Sequence, residues 1–266
     1  MASKITQRTL VEYKGEGRRI TMLTAYDASF ARQIEEAGID SVLVGDSLGN
    51  VIQGRKTTVP VSIDEMVYHT RCVSRGLSRA LLIADMPFMT VRDSSHCLDA
   101  ATALMQAGAE MVKIEGAGPV VERVRELSGL GIPVCAHLGL TPQTVHKLGG
   151  FRVQGRGQEA AARLQRDATA LEVAGAGVLV LECVPRGLAA GVAASLEIPV
   201  IGIGAGAEVD GQVLVLYDAL GITPISRPRF SQDFLASAGN VPEALRVFAE
   251  SVREGSFPGP EHGWDD

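Results

Sequence analysis

Short apolar runs rich in Val, Leu and Ile recur along the chain, and nearly every one is followed by a longer amphipathic or alanine-rich stretch. That alternation is the signature of βα units laid around a parallel sheet. The predicted strands are 20–25, 41–45, 80–85, 111–115, 133–137, 178–182, 199–203 and 213–217, eight in all. Between them, helices are expected over 28–37, 63–75, 94–107, 119–127, 160–174 and 188–195, several followed by a glycine such as Gly38, Gly76, Gly108 or Gly175 that can take the left-handed position after a helix. The seventh crossover, 205–212, is too short for a full helix. Near-continuous runs such as VLVLE suit strands covered on both faces.

Eight units in 266 residues favour a closed (β/α)8 barrel, with an open doubly wound sheet as the alternative. With 46% hydrophobic residues the chain can bury a core of that size, and no linker or break in composition divides it. One barrel domain spanning 1–266 with a short C-terminal tail is the expectation. Beyond about residue 225 the pattern weakens: 242–253 is an amphipathic helix, and the final FPGPEHGWDD is expected at the surface or disordered.

A formal charge of -6 and a pI near 5.5 would repel a phosphate backbone, and no Lys/Arg stripe with interleaved aromatics is present, so nucleic acid is not an expected partner. Cys72, Cys97, Cys135 and Cys183 are widely spaced and form no CxxC pair, which argues against a zinc cluster or disulfide framework and for a reducing cytoplasm. The N-terminal stretch carries charges throughout, and no apolar run reaches the roughly 20 residues that cross a bilayer. No membrane partner is expected.

Chemistry gathers at the C-terminal ends of the predicted strands: Asp27 after the first, Asp46 and Ser47 after the second, Asp85 at the third, Lys113 and Glu115 at the fourth, His137 at the fifth, Glu182 at the sixth and Asp218 after the eighth. In a barrel these ends share one mouth, where active sites of the fold form. Taken singly, an Asp or Ser after a strand is as readily the N-cap of the next helix. Three carboxylates ending strands in one mouth are harder to explain so. Asp46, Asp85 and Glu115 would repel one another unless a hard divalent cation lay between them, and oxygen ligands without a Cys/His cluster favour Mg²⁺ over Zn²⁺. Glu182 follows a wholly apolar strand, so desolvation can raise its pKa towards that of a general base; a salt-bridged rim carboxylate is the plainer alternative. Lys113 lies two residues before Glu115 and projects to the same side, either to hold a substrate carboxylate, to form a Schiff base or to pair with a neighbouring acid. His137 either orients substrate or moves a proton, or is satisfied by backbone. The run Gly202-Ile-Gly204-Ala-Gly206 lacks the full dinucleotide spacing and has no adequate helix after it; a ligand pocket and backbone packing are both open.

Those residues sit in settings that resemble the ketopantoate hydroxymethyltransferase family: TAYDASFA, AGIDSVLVGDSLGNVIQG, ADMPF, VKIEG, GIPVCAHLGLTPQ, GGFRVQGRG, LVLECVP and IPVIGIGAGAEVDGQVLVLYDALGI, in unbroken order over roughly 4–235. The resemblance implies a TIM barrel of the phosphoenolpyruvate/pyruvate type and a cytoplasmic enzyme of pantothenate synthesis. It implies hydroxymethyl transfer from 5,10-methylenetetrahydrofolate to 3-methyl-2-oxobutanoate, giving 2-dehydropantoate through an enolate stabilised by Mg²⁺. By the same resemblance Asp46 and Asp85 are direct metal ligands and Glu115 a third acid at the metal. Asp46, Ser47, Asp85 and Lys113 contact the 2-oxo acid, His137 belongs to the pocket, Glu182 accepts the proton, and the chain forms a homo-oligomer, a decamer. Two departures stand out: Met89-Thr90-Val91 replaces a common Gly-Ser-Tyr, and Tyr217 stands before Asp218 where many members have His. A rival on the same barrel is a Mg²⁺-dependent 2-oxo-acid lyase or mutase of the isocitrate lyase type, expected to carry a KKCGH-type loop that this chain lacks. A catalytically silent scaffold is a second rival, yet Asp46, Asp85, Glu115 and Glu182 are all still acidic.

Overall fold

The structure is a computed structural model and describes residues 3–223 and 226–265. Eight parallel strands close into a barrel, each paired with the next and the eighth with the first. In chain order the elements are α1 (Gln7–Gly15), β1 (Ile20–Thr24), α2 (Ala28–Glu36), β2 (Ser41–Val44), α3 (Leu48–Val51), α4 (Ile63–Ser74), β3 (Leu81–Asp85), α5 (Ser94–Gln106), β4 (Met111–Glu115), α6 (Pro119–Gly129) and β5 (Val134–Gly139). They continue with α7 (Val145–Leu148), α8 (Gln158–Val173), β6 (Val178–Glu182), α9 (Arg186–Ser195), β7 (Val200–Ile203), β8 (Gly211–Leu214), α10 (Leu216–Ala219), α11 (Leu235–Ala238) and α12 (Val241–Glu254). The open sheet is excluded.

The strands are buried almost throughout, as runs of Val, Leu and Ile must be when helices cover one face and barrel interior the other. Helix starts follow local chemistry. Ser62 and Glu65 form a reciprocal capping box at α4, and Asp27 accepts from the backbone N–H of Ser29 and Phe30 at the start of α2. Asp27 is therefore a cap and plays no part in the mouth. Among the described residues no helix is long and apolar enough to cross a membrane, and all four cysteines are free.

Three segments differ from expectation. The eighth strand is Gly211–Leu214 rather than 213–217, because the chain turns into α10 at Leu216, whose N–H is taken by Thr24 Oγ1 at 3.0 Å. The charged N-terminal stretch carries α1, which buries Leu10 completely and sends Lys14 to the carbonyls of Ala193 and Ile198 and to Asp210 at the feet of the strands. The last segment is ordered and packed. Phe257 is 3% exposed within a cluster of edge-on and tilted rings with Phe234 and Phe248, and the chain then runs to Trp264 beside Gly204.

At the foot of the barrel, opposite the mouth, the wholly buried Asp40 carboxylate accepts from the Thr21 N–H at 3.0 Å and hydroxyl at 2.7 Å and from Arg18 at 2.9 Å, with Arg253 of α12 at 3.5 Å. Asp40→Ala leaves two guanidinium groups and a buried N–H without their acceptor. It should lower the unfolding free energy by about 3 kcal/mol, measured by urea denaturation, without changing catalysis by the folded molecules. On the other side, Met89 holds a left-handed backbone with φ of 65° while its side chain is largely exposed. Relieving that strain gains roughly 1–2 kcal/mol, and glycine's greater freedom in the unfolded chain takes back roughly 0.5–1. Met89→Gly should accordingly raise the urea midpoint slightly, whereas Met89→Ala, which keeps the strain, should not.

Candidate active site

The mouth holds a cavity of about 550 Å³ lined by Asp46, Ser47, Asp85, Lys113, Glu115, His137, Glu182 and Asp218. Closure of the sheet brings these side chains together from six strand ends. Asp85 pairs in register with Lys113, Glu115 with His137, and Gly139 with Glu182. Lys113 and Glu115, two apart on β4, enter the same cavity.

Contacts between them form a chain. The Lys113 ammonium donates to Asp85 Oδ1, and the other Asp85 oxygen accepts the backbone N–H of Asp46 at 3.0 Å. Lys113 Nζ lies 3.9 Å from Glu115 Oε1, which is 3.2 Å from His137 Nδ1. On its other side His137 Nε2 is 3.3 Å from Glu182 Oε2, close but not aligned as a hydrogen bond. None of these carboxylates caps a helix. Asp46 Oδ2 instead accepts from Gln143 Nε2 at 2.8 Å.

Gln143 is the residue that sequence reasoning missed. Buried at 8% exposure, it also donates from Nε2 to the Met86 carbonyl and from its backbone N–H to Glu115 Oε2 at 3.1 Å. One residue thus ties the loop after β5 to Asp46, just past β2, through its side chain and to Glu115 of β4 through its backbone. Its only signal was its place at the end of HLGLTPQ, since a lone Gln in a loop carries no pattern. Tyr26 was also missed; its hydroxyl shares a 2.9 Å hydrogen bond with Ser47 Oγ.

Electrostatics follow from burial. Desolvation, with Asp85 and Glu115 nearby, pushes Asp46 well above the usual carboxylate range. Desolvation likewise raises Glu115 to about 7, against the lowering pull of Lys113. Glu182 is raised by burial, only partly offset by His137. Burial and the Lys113 charge hold His137 below its ordinary value, so the ring is neutral near neutral pH. Burial alone would lower Lys113, but the charges of Asp85, Glu115 and Asp46 overcome it and keep the ammonium protonated. Four carboxylates therefore face a single cation in a poorly solvated space.

The backbone around Glu182 is shaped for this. Gly139 has φ of 91°, and a Cβ there would overlap the Glu182 carbonyl oxygen, which accepts the Leu140 N–H at 2.8 Å. Cys183, next to Glu182, is held at φ of 49°, a conformation that costs a non-glycine residue about 1–2 kcal/mol and turns the chain sharply out of β6.

Residues 4–260 match the family model for ketopantoate hydroxymethyltransferase. The chain is 55% identical to the 3-methyl-2-oxobutanoate hydroxymethyltransferase of Shewanella amazonensis and 56% identical to that of Shewanella loihica, in each case over 98% of both chains. Among solved structures it resembles phosphonopyruvate hydrolase in complex with oxalate and Mg²⁺ (TM-score 0.62, 15% identity, 97% of this chain and 93% of that one). A second likeness is to 2,3-dimethylmalate lyase of the PEP mutase/isocitrate lyase superfamily (TM-score 0.59, 19% identity, 97% of this chain and 100% of that one). At such identities these two establish the barrel type and nothing of the reaction, so the lyase or mutase alternative has only a distant kinship behind it. The full-length match and the near-complete relatives make the chain a member of the ketopantoate hydroxymethyltransferase family.

Proposed function

We propose that this enzyme transfers a hydroxymethyl group from 5,10-methylenetetrahydrofolate to 3-methyl-2-oxobutanoate, giving 2-dehydropantoate, with Mg²⁺ as its cation. The observation that carries the reading is the pairing, in one cavity, of a desolvated Glu182 with the acid and lysine cluster of Asp46, Asp85 and Lys113. A base of raised pKa faces groups able to hold a charged oxo acid.

The residues present fit the metal. An excess of buried carboxylate over cationic charge is the condition a divalent ion relieves, and Asp46 and Asp85 supply hard oxygen donors. Among the described residues no three His, Cys, Asp or Glu side chains converge as a metal cluster. That is compatible with Mg²⁺, which is commonly held by one or two protein carboxylates with substrate and water completing its shell. Asp46 and Asp85 would hold it and Glu115 would stand behind through water. When bound, the ion withdraws electron density from the carboxylate and keto oxygens of the substrate.

The chain's own residues do the rest. Lys113 and Ser47 hold the substrate carboxylate, with Lys113 kept charged by its acidic neighbours. Glu182 takes the proton from the carbon beside the ketone. His137, neutral and in contact with both Glu115 and Glu182, orients the base without neutralising it as a fixed cation would. The carbanionic carbon then bonds to the methylene carbon of the folate as the first of its two C–N bonds opens, and water displaces the second nitrogen to supply the hydroxyl group, so that both nitrogens end protonated and tetrahydrofolate leaves. Cytoplasmic placement and a homo-oligomer, decameric in form, complete the reading; the exposed Val173 and Leu130 on the outer layer suit contact between copies.

The direct test is formation of 2-dehydropantoate from the two substrates with and without Mg²⁺. Asp46→Ala and Asp85→Ala should each weaken Mg²⁺ binding by roughly 10-fold or more in calorimetric titration, since even supporting groups around metals contribute 10–100-fold. Unchanged affinity in both, with circular dichroism intact, would remove the metal assignment. Glu182→Gln keeps the shape of the side chain but not its basicity. Solvent-deuterium exchange at the substrate carbon, followed by NMR, should slow by roughly 100-fold or more in that variant while Mg²⁺ and oxo acid still bind. Exchange near the parent rate with product formation lost would transfer Glu182 to handling the folate-bound carbon.

A further inference from the structure

Asp46, Asp85 and Glu115 each have an oxygen already engaged by the protein, and a buried residue behind the cavity lining decides which oxygen of Asp46 is left over. Asp85 Oδ1 takes the Lys113 ammonium, and its other oxygen takes the Asp46 N–H at 3.0 Å. Glu115 Oε2 accepts the Gln143 N–H at 3.1 Å, and its Oε1 faces His137 Nδ1 at 3.2 Å. Asp46 Oδ2 takes the Gln143 amide at 2.8 Å, while among the described residues no protein donor reaches its Oδ1.

The Gln143 side chain has one orientation that serves its surroundings. Its Nε2 donates to Asp46 Oδ2 and, at 3.0 Å, to the Met86 carbonyl. An ionised Asp46 and a main-chain carbonyl can only accept, so the amide must present its NH2 group inward, with both hydrogens spent. Met86 directly follows β3, and its own N–H donates to the Lys113 carbonyl on β4 at 2.9 Å. The amide is therefore braced on the two strands that carry Asp85 and Lys113. It is delivered there by a single 3-10 turn, Pro142–Thr144, closed by the Thr144 N–H on the Thr141 carbonyl at 2.9 Å.

A carboxylate with one oxygen held by a donor offers a cation the other oxygen alone. Mg²⁺ demands a near-octahedral shell at about 2.0–2.1 Å and keeps several waters, so one fixed oxygen from each carboxylate suits it. Ca²⁺ takes roughly six to eight oxygens at about 2.3–2.6 Å and gains when a carboxylate supplies both of its own. We propose that Gln143 is a positioning residue that makes Asp46 a one-oxygen ligand, and that this restraint is how the mouth favours Mg²⁺ over Ca²⁺. The inference rests on the metal of the function proposed above and deepens it. Gln143 does not line the cavity and acts on the cation only through the acids it holds.

Calorimetric titration of the full-length enzyme, freed of metal, with MgCl2 and with CaCl2 in the presence of 3-methyl-2-oxobutanoate reads the restraint without turnover. The parent should bind Mg²⁺ more tightly than Ca²⁺. Gln143→Met fills similar space and keeps the main-chain N–H for Glu115 but has no donor for Asp46. It should weaken Mg²⁺ by roughly 10-fold, the lower end of what groups supporting a metal ligand contribute, and leave Ca²⁺ unchanged or tighter. Gln143→Ala should move the ratio of the two dissociation constants the same way. A residue that merely anchored its loop would weaken both cations by one factor and leave that ratio in place. Such a result, or parent-like affinities in both variants, overturns the proposal. The parent alone also tests it, whether or not a variant folds: Ca²⁺ bound as tightly as Mg²⁺ overturns the selectivity. A parent that binds neither cation, or Asp46→Ala with parent Mg²⁺ affinity, overturns the metal reading itself. Weakened Mg²⁺ in Asp46→Ala beside an unshifted ratio in Gln143→Met overturns the role of Gln143 alone.

Discussion

Closing eight parallel strands on themselves forces every C-terminal strand end into one small, walled space, and the rest of this structure depends on that constraint. The walls are Val, Leu and Ile, so a carboxylate placed there loses solvent and cannot shed its charge into water. Asp85 and Lys113 meet across neighbouring strands because their register aligns them, and each is the counter-charge that makes the other tolerable. Removing either would leave an unpaired buried charge, which is why such pairs are costly to break even when they add little net stability. Asp46, Glu115 and Glu182 are left over. Under the proposed function their excess would supply the affinity for a cation and keep one carboxylate basic.

The parts legible in the sequence were those that repeat. A parallel strand buried on both faces must be apolar along its length, so β1 to β7 stood out to within a residue or two, and a polar residue at the end of such a run was either a lining group of the mouth or, as at Asp27, the cap of the next helix. That logic found Asp46, Asp85, Lys113, Glu115, His137 and Glu182, which line one cavity. The eighth strand was shifted because the apolar run continues into α10, where Leu216 is buried by the same core that buries strand residues; hydrophobicity alone cannot separate the two. Helix α1 has only one wholly buried position, Leu10, and so shows almost no periodicity. Gln143 was invisible for another reason. Its importance lies in three hydrogen bonds to acids and a carbonyl far away in sequence, and nothing local requires them.

Backbone strain is distributed as the chemistry would have it. Among the described residues the positive φ values of non-glycine residues fall at Met89 and Cys183, in the segments that follow strands carrying acids of the mouth. At Cys183 the left-handed turn comes where the Gln154 N–H reaches the Cys183 carbonyl at 2.9 Å. Gly139 makes room for the Glu182 carbonyl on the adjoining strand. These positions set the backbone from which Glu182 stands, while His137 Nε2 lies 3.3 Å from its carboxylate.

Stability and chemistry occupy opposite ends of the barrel, and one segment joins them. The foot is held by fully used groups: Asp40 with Thr21, Arg18 and Arg253, and Lys14 with Asp210 and two carbonyls. The Asp40 and Lys14 side chains there spend their charge on groups of the fold itself, as structural networks do. At the mouth the charges do not balance, with four carboxylates facing the single ammonium of Lys113. The C-terminal segment leaves the first region at α12 and ends in the second at Trp264, anchored by Phe257 in the core and by Arg186 at the top. A tail bound at both levels forms part of the wall of the mouth, because Gly204 after β7 carries no side chain where Trp264 lies.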